Sequence, residues 1–463
     1  MTAVAHQTRT APARPPANRA HFRWFRIALP VLLCGYLFFG RPFAYLHVPG
    51  IPVYPGEVVL LIGVIEALRC SPAVTGLFRR SAPAVPIALF CGYGALRLAA
   101  DLPDHGLMAV RDSAMWYYAT FAVLVAVAIR VRDDLLPFWL GLYRRVIPLY
   151  LLWFPIAVVL ARSVPVYIRI PDAPVHLFEY KPGDYAVAAG AAVAFLWLVD
   201  RPADDQGRLR RLALTVLGAV GLLVAGTQNR AGLLAAAVMM LCLLVFTPAR
   251  SRLVVTGGAA MLALLALVAA FDVRIPLQGR ELSLEQLGDN LASVVAPERT
   301  DEQQLVGTVA WRQELWTRTA TDVLEGPAEF GFGFGPNLAA RYGFGIWEGL
   351  RNPHNSHLTV LARMGMLGAL LWVLLWSVWY HRLLRMVWRR RYHGPRDLSL
   401  LAAWCVIAIT GLLINAAFDP SLEGPQAGIW LWTFTGLGLG ISARRVPGGR
   451  RFRAAAQPTA AAT

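Results

Sequence analysis

The sequence predicts an all-α, polytopic integral membrane protein of about twelve transmembrane helices, with one large extracytoplasmic loop before the tenth. Three observations carry this. Hydrophobic residues make up 57% of the 463, and charged residues only 16%. The apolar residues fall in repeated blocks of about 17 to 22, the length that crosses a bilayer. The arginines stand between those blocks, where they set topology. The net charge of +16 is therefore spread over short connections. It does not form the basic stripe on a soluble face that a nucleic-acid partner needs, so none is expected.

Taken in order, the blocks cover 26–44, 52–68, 83–99, 109–129, 146–163, 184–199, 211–226, 230–247, 253–271, 355–379, 398–418 and 425–442. With a cytoplasmic N-terminus, the inside connections hold Arg69, Arg79 and Arg80, then Arg130, Arg132, Arg144 and Arg145. Arg201, Arg208, Arg210 and Arg211 follow, then Arg250 and Arg252, and the RMVWRRR run at 385–391. Each inside connection is thus basic, as the positive-inside rule requires. The same arrangement puts 272–354 outside as a large, partly helical loop and both termini in the cytoplasm. The membrane domain then covers 26–443. The flanks 1–25 and 444–463, rich in Ala, Pro, Gly and Arg with little to bury, read as disordered basic tails lying against the membrane. The first apolar block follows basic residues as in a signal peptide, but without a small-residue cleavage site it reads as an uncleaved anchor.

Cys34, Cys70, Cys91, Cys242 and Cys405 fall within spans or on the inside, so neither a disulfide framework nor a Cys-based zinc site is expected. No internal repeat of fixed period and no pair of interrupted spans is visible, which counts against repeat-built secondary transporters. There is no GxxxxGK[ST] phosphate loop, and the chain's single lysine, Lys181, stands in no such motif. No cofactor is expected.

Chemistry is then left to polar residues at the outer ends of the spans. In RNPHNSHLTVLARMGMLG (351–368), Asn352 is a good N-cap and Pro353 a good first helical residue. That places His354 and Asn355 in the first turn of the tenth span. At the positive end of a helix dipole an imidazole stays neutral and an anion is favoured, which suits a proton acceptor beside a phosphate-bearing ligand. At ~100° per residue, Gly365 and Gly368 fall about 20° and about 40° from His354, predicting a smooth stripe beneath it for another helix or a lipid chain. His357, one turn on, makes His-x-x-His with no third ligand nearby, so no metal is expected. Taken alone, an interfacial histidine satisfied by a loop carbonyl is the commoner case.

Two arginines shift that weighing. Arg230 opens the eighth span at the outer face, where positive-inside statistics disfavour arginine, and no acid stands three or four residues away. Snorkelling to headgroups is its alternative use. Arg312 lies on TVAWRQELWTRTATDVLEG (308–326), an amphipathic helix with Val309, Leu315, Trp316 and Val323 near one face. Arg318 there can pair with Glu314 and Asp322 at four-residue spacing. Arg312 has no local acid and is the better site for an external anion. GFGFG at 331–335 is a turn that lets backbone come close. Arg111 and Asp112 are expected to pair locally, and Trp311, Trp316, Tyr342 and Trp347 to anchor the loop at the interface.

The run His354, Asn355, nine residues, Gly365, two residues, Gly368 resembles the His-[Asn/Ser/Gln]-x9-Gly-x2-[Gly/Thr/Tyr] signature of the O-antigen ligase and bacterial polysaccharide polymerase superfamily. Arg230 to Leu234 resembles its Arg-x3-Leu signature at the start of a span. The span count, the outer loop between spans nine and ten, an arginine within it and GFGFG before the histidine helix look like the same family. Asn229 stands where members often have serine, and both cap a helix.

The resemblance implies a GT-C-like membrane fold and a metal-independent, inverting glycosyltransferase at the external face of the bacterial cytoplasmic membrane. The donor it implies is a glycan on undecaprenyl diphosphate, and the acceptor a glycan or glycolipid hydroxyl, with membrane lipid around both. On that pattern Arg230 and Arg312 clamp the diphosphate and His354 activates or orients the acceptor. Asn355, His357, Gly365, Gly368 and Asn229 are accessory. Arginine's five fixed donors suit phosphate oxygens, and preorganised cations stabilise a leaving diphosphate without magnesium. Ligase and polymerase share this donor, and both stay open. The alternative is a transporter or flippase of lipid-linked sugars, which needs ionisable groups at mid-depth on several spans, where only Arg363 and Arg97 look deep.

Overall fold

The computed structural model describes residues 21–47, 53–163, 179–202, 204–247, 250–277, 280–295, 303–326, 328–343, 351–393 and 396–443. Residues 1–20 and 444–463, which hold most of the two expected tails, and Trp347 of the outer loop lie outside the described residues.

The apolar blocks are helical, since a helix satisfies its own backbone where water is absent. The chain runs through α1 (Phe25–Phe39), turns at Gly40 with φ +65°, and makes one turn of α2 (Arg41–Ala44). Proline at the first position starts α3 (Pro55–Leu68), where its missing N–H is no loss. α3 bends by 92° into the amphipathic α4 (Ser71–Arg80). After α5 (Ala84–His105) comes a segment built in pieces: α6 (Leu107–Asp112), α7 (Ala114–Tyr117) and α8 (Thr120–Val131). At the first break Ser113 Oγ donates to the Val110 carbonyl at 2.7 Å, a local bond that competes with the helix ladder. α9 (Leu135–Ser163) runs through two prolines and is followed by α10 (Pro182–Leu198), α11 (Asp205–Gln228), α12 (Arg230–Phe246) and α13 (Arg250–Ala270).

The long loop before the tenth expected span contributes a hairpin of β1 (Ile275–Leu277) and β2 (Arg280–Leu282), antiparallel with Ile275 opposite Leu282. It continues through α14 (Leu284–Val295), α15 (Gln303–Leu324) and α16 (Leu338–Arg341). α17 (Ser356–His393), α18 (Arg396–Ala416) and α19 (Pro425–Ala443) follow, with a 3-10 turn at Ser421–Glu423 between the last two.

Among the described residues, six helical stretches are long and apolar enough to cross a bilayer, or seven if the bent α3–α4 pair is one span. They are Ala84–His105, Ala114–Val131, Leu135–Leu160, Asp205–Gln228, Ser356–Trp388 and Asp397–Ala416. α1, α10, α12 and the Gly257–Ala270 part of α13 are apolar but shorter. At ~1.5 Å per residue, the 17-residue α10 rises ~26 Å, a little under the ~30 Å of the hydrocarbon core. The chain is a helical, polytopic membrane protein.

α10 lies at the centre, buried on nearly every residue and packed against α11, α12 and α18. Small residues allow the close approaches. A Cβ on Gly436 would sit 2.6 Å from the Ala122 carbonyl oxygen, and one on Gly440 2.1 Å from Ile129 Cδ1. α19 thus seats on α8 through a small-xxx-small spacing. At one end of the bundle, a Cβ on Gly183 would meet Asn415 Oδ1 at 2.5 Å and Asn229 Oδ1 at 3.2 Å. Ser356 Oγ donates to the Asp419 carbonyl at 3.2 Å. The starts of α10, α12 and α17 and the end of α18 therefore share that end, as alternating spans require.

α17 is not the continuous helix the sequence predicts. Gly365 takes φ +65° and ψ −165° and divides it. The GFGFG segment takes up the backbone groups this releases. Phe332 N donates to the Ala362 carbonyl at 2.7 Å, Gly333 N to Arg363 at 3.2 Å, and Met366 N to Glu329 at 3.0 Å. Tyr93 Oη adds a bond to the Met364 carbonyl at 3.0 Å. A broken helix is tolerated at membrane depth because the loop pairs with it.

Candidate functional site

His354 stands two residues before α17 and not inside it. The helix starts at Ser356, capped by Asn355, whose Oδ1 accepts from His357 N at 3.0 Å and Leu358 N at 3.1 Å. The expected cap, Asn352, is committed elsewhere: its Oδ1 accepts from His354 N at 3.3 Å and its Nδ2 donates to Glu423 Oε2 at 2.7 Å. This holds His354 at φ +52°, a left-handed conformation uncommon outside glycine. Trp316 Nε1 donates to the Pro353 carbonyl at 2.5 Å, tying the turn to α15 as well. With His354 off the helix and Gly365 breaking it, the stripe expected beneath the histidine does not exist. Gly365 instead meets the Glu329–Gly331 backbone, and Gly368 is packed against Met364 and Tyr93.

Glu423 is the keystone of this turn. Besides Asn352 it meets Thr359 Oγ1 at 2.7 Å, while Thr359 also reaches the Asn355 carbonyl at 3.1 Å. Burial pushes the Glu423 carboxyl up to about 7, against the hydrogen bond from Thr359 and the Arg363 charge, which favour ionisation. A protonated Glu423 can donate to Thr359 Oγ1, which then donates onward to Asn355. Glutamine can do the same while accepting from Asn352. Glu423→Gln is therefore expected to leave the melting temperature of the purified protein nearly unchanged. Glu423→Ala, which strands Asn352 and Thr359, should destabilise by ~1–3 kcal/mol and lower it clearly. Equal losses in both variants would show that the carboxylate charge itself is needed.

The His354 ring lies 5.7 Å from the Trp311 ring, edge to face, and is half-buried. Its pKa is lowered to about 4, first by burial and then by the Arg312 charge, with Asp419 opposing and Lys181 reinforcing. The imidazole is thus neutral at neutral pH and able to accept a proton. Arg312 lies over Trp311 at 5.5 Å and donates through Nη1 to the Phe418 carbonyl at 3.5 Å. Its buried Nε has no hydrogen-bond partner among the described residues. Burial lowers the Arg312 pKa, and Asp419 partly restores it. Asp419 is in turn bound by Lys181, Nζ to Oδ1 at 2.7 Å.

The structure brings His354 and Arg312 together. Asn229 caps α12, accepting from Gly232 N at 2.7 Å, and lies beside Gly183, two residues after Lys181. Arg230 follows it at the same end of the bundle, half-buried and already engaged in a contact, so it is not the unpartnered cation its sequence neighbours suggest. His357 faces inward, with Nε2 on the Leu413 carbonyl at 2.9 Å and Nδ1 accepting from Trp372 Nε1 at 3.0 Å. Both its nitrogens serve packing. Among the described residues no three His, Cys, Asp or Glu side chains gather in a metal-binding arrangement.

Arg318 pairs with Glu314 as the spacing predicts, but Asp322 accepts from Tyr342 Oη at 2.8 Å. Asp112 does not pair with Arg111. It binds Arg363 at 2.9 Å, Arg351 at 3.2 Å and the Gly335 N–H at 3.1 Å. Arg363 also donates to the Gly333 and Pro336 carbonyls, and Arg97 to the Gly331 carbonyl. Both deep arginines thus hold the glycine loop. Lys181, Asp419 and Glu423 were not singled out for the site from sequence. The chain's one lysine was a usable signal, whereas nothing marks the two acids apart from other loop carboxylates.

Residues 213–373 match the model of the O-antigen ligase family. That segment runs from α11 through the long loop into α17 and contains Asn229, Arg230, Arg312, His354, Asn355, His357, Gly365 and Gly368. No curated protein matches the chain. Over residues 213–373, the stretch that builds the His354 turn and its arginines, the chain is thus similar to the O-antigen ligase family, as its two sequence signatures indicate.

Proposed function

We propose that this protein is an inverting, metal-independent glycosyltransferase at the external face of the bacterial cytoplasmic membrane. It moves a glycan from undecaprenyl diphosphate to an acceptor hydroxyl, as an O-antigen ligase or a polysaccharide polymerase. The observation that carries this is the neutral, half-buried His354 next to the Arg312 guanidinium, at the end of the bundle where α10, α12 and α17 begin. A proton acceptor and an anion site lie side by side, which is what displacement of a diphosphate by a hydroxyl requires.

In the reaction the acceptor oxygen attacks the anomeric carbon from the face opposite the leaving group. The bond from that carbon to the diphosphate oxygen breaks, and the electron pair leaves with the diphosphate. The acceptor proton passes to His354. Arg312 and Arg230 hold the diphosphate, aided by the positive ends of the helices that start there. Asn355 and Asn229 keep those helix starts in place, His357 ties the first turn of α17 to α18, Gly365 lets the glycine loop pair with α17, and Gly368 packs against Met364 and Tyr93.

Twelve spans follow if α1, α10, α12, α13 and α19 are counted with the longer helices and α3–α4 as one. Both termini are then cytoplasmic, in a GT-C-like arrangement. The test is glycan transfer by the purified protein in nanodiscs from undecaprenyl-diphosphate oligosaccharide to candidate acceptors, with EDTA present. Transfer unaffected by EDTA is expected, and product length separates one-step ligation from polymerisation. Movement of the lipid-linked sugar between leaflets, with no transfer across a broad donor panel, would overturn the reading in favour of a flippase.

A further inference from the structure

We propose that Lys181 is a third cationic contact for the departing diphosphate, held on Asp419 until the donor arrives. This rests on the diphosphate-donor reading above and extends it to residues outside the segment that matches the family.

Composition makes Lys181 conspicuous. Of 44 basic residues it alone is lysine. Arginine fills every other basic position, including the connections where lysine would serve topology equally well. The remaining lysine stands at the mouth of α10, in the group formed by Asp419, Arg312 and His354. The two cations differ in a way that matters here. A guanidinium is a planar fork, whereas an ammonium is a compact point charge that can turn from one oxygen to another. The wall beside it is tight, since a Cβ at Gly183 would already strike Asn415 Oδ1 at 2.5 Å.

Asp419 occupies the place of an anionic ligand. Lys181 Nζ reaches its Oδ1 at 2.7 Å, and the neighbouring Phe418 carbonyl takes Arg312 Nη1 at 3.5 Å. Its own carbonyl is held by Ser356 Oγ at 3.2 Å, two residues past His354. The Lys181 and Asp419 side chains are 31% and 24% exposed, so a ligand can reach the pair. Two other charged groups near Lys181 are occupied: Asp184 accepts from Asn415 Nδ2 at 2.8 Å, and Arg41 pairs with Glu179. A diphosphate carries more charge than one carboxylate and offers more acceptor oxygens. It can draw Lys181 from Asp419 and also take the Arg312 Nε, which has no hydrogen-bond partner among the described residues.

The test uses the full chain in nanodiscs and inorganic pyrophosphate as probe, titrated by calorimetry. Lys181→Met should weaken binding by about tenfold or more, the worth of a charge-assisted hydrogen bond, and Lys181→Arg by less. Asp419→Asn should tighten it by about two- to fivefold, because a competing partly exposed ion pair is removed. Wild-type affinity in Lys181→Met overturns the inference. So does weakening in Asp419→Asn equal to that in Lys181→Met, the pattern of a purely structural pair. If Lys181→Met fails to fold, as its melting curve would show, the opposite shifts expected of Asp419→Asn and Lys181→Arg decide. Loss of binding in Arg312→Ala with Lys181→Met unchanged overturns this inference alone. Absence of binding in every form, wild type included, overturns the diphosphate reading with it.

Discussion

His354→Ala is expected to cut glycan transfer by about 10²- to 10⁴-fold while leaving donor affinity within a few-fold, since a positioned proton acceptor acts on the transition state and not on the bound ground state. The pH dependence sharpens this. The imidazole pKa is lowered to about 4 by burial and the Arg312 charge, so it is neutral throughout the neutral range. As pH falls it takes up a proton and loses its acceptor lone pair only near that value. The acid limb of kcat/KM, which reports the free enzyme, should therefore lie near about 4 and not at the ordinary histidine value of about 6.5. The same depression means that the unfolded chain binds this proton first. Stability should then fall as pH drops from about 6.5 to about 4. An acid limb between 6 and 7 that disappears in His354→Ala would show a histidine exposed to water. Loss of donor binding equal to the loss of turnover would remove the proton-acceptor role.

Gly365→Ala should abolish activity by a different route. The residue combines φ +65° with ψ −165°, a region that essentially only glycine occupies, and such strain alone costs ~1–3 kcal/mol in other residues. Space forbids the methyl group too. A Cβ would lie 2.4 Å from the Glu329 carbonyl oxygen and 2.4 Å from the Phe330 carbonyl carbon, both backbone atoms that cannot swing away. To relieve this, the loop must leave α17, and the bonds from Phe332 N to Ala362 and from Gly333 N to Arg363 go with it. Hydrogen exchange at Phe332 and Gly333 should therefore accelerate strongly in the variant, and transfer should be lost with it. Gly288→Ala, where nothing lies within 4 Å of the added methyl, is the control and should behave as wild type. Normal protection of both amides in Gly365→Ala would mean that the loop is held mainly by Asp112 and its arginines.

The residues that sequence made legible are those whose behaviour depends on near neighbours. Asn229 caps α12, as its place before an apolar run suggests, and Glu314 meets Arg318 across one helical turn. The apolar blocks became helices, and the loop segment with Arg312 became an amphipathic helix beside His354. Where two local signals competed, the choice was hidden. Asn352 and Asn355 both suit a cap, and Asn355 took the role because Glu423, 71 residues further on, holds Asn352.

Hydropathy, charge distribution and short spacings thus determined from sequence alone that this chain is a helical membrane protein, and which histidine and arginines deserve scrutiny. Those signals act over one or two helical turns, within the chain's own backbone geometry. Tertiary structure alone decided the break at Gly365, the left-handed turn at His354, and the partners of Asp112, Lys181 and Glu423. Asp112 meets Arg351 across 239 positions and Lys181 meets Asp419 across 238. No local rule selects one acid for one base at that separation. The selection comes from which helix ends pack side by side, and that follows from the fit of Gly183, Gly232, Gly436 and Gly440 against their neighbours, a matter of shape across the whole bundle.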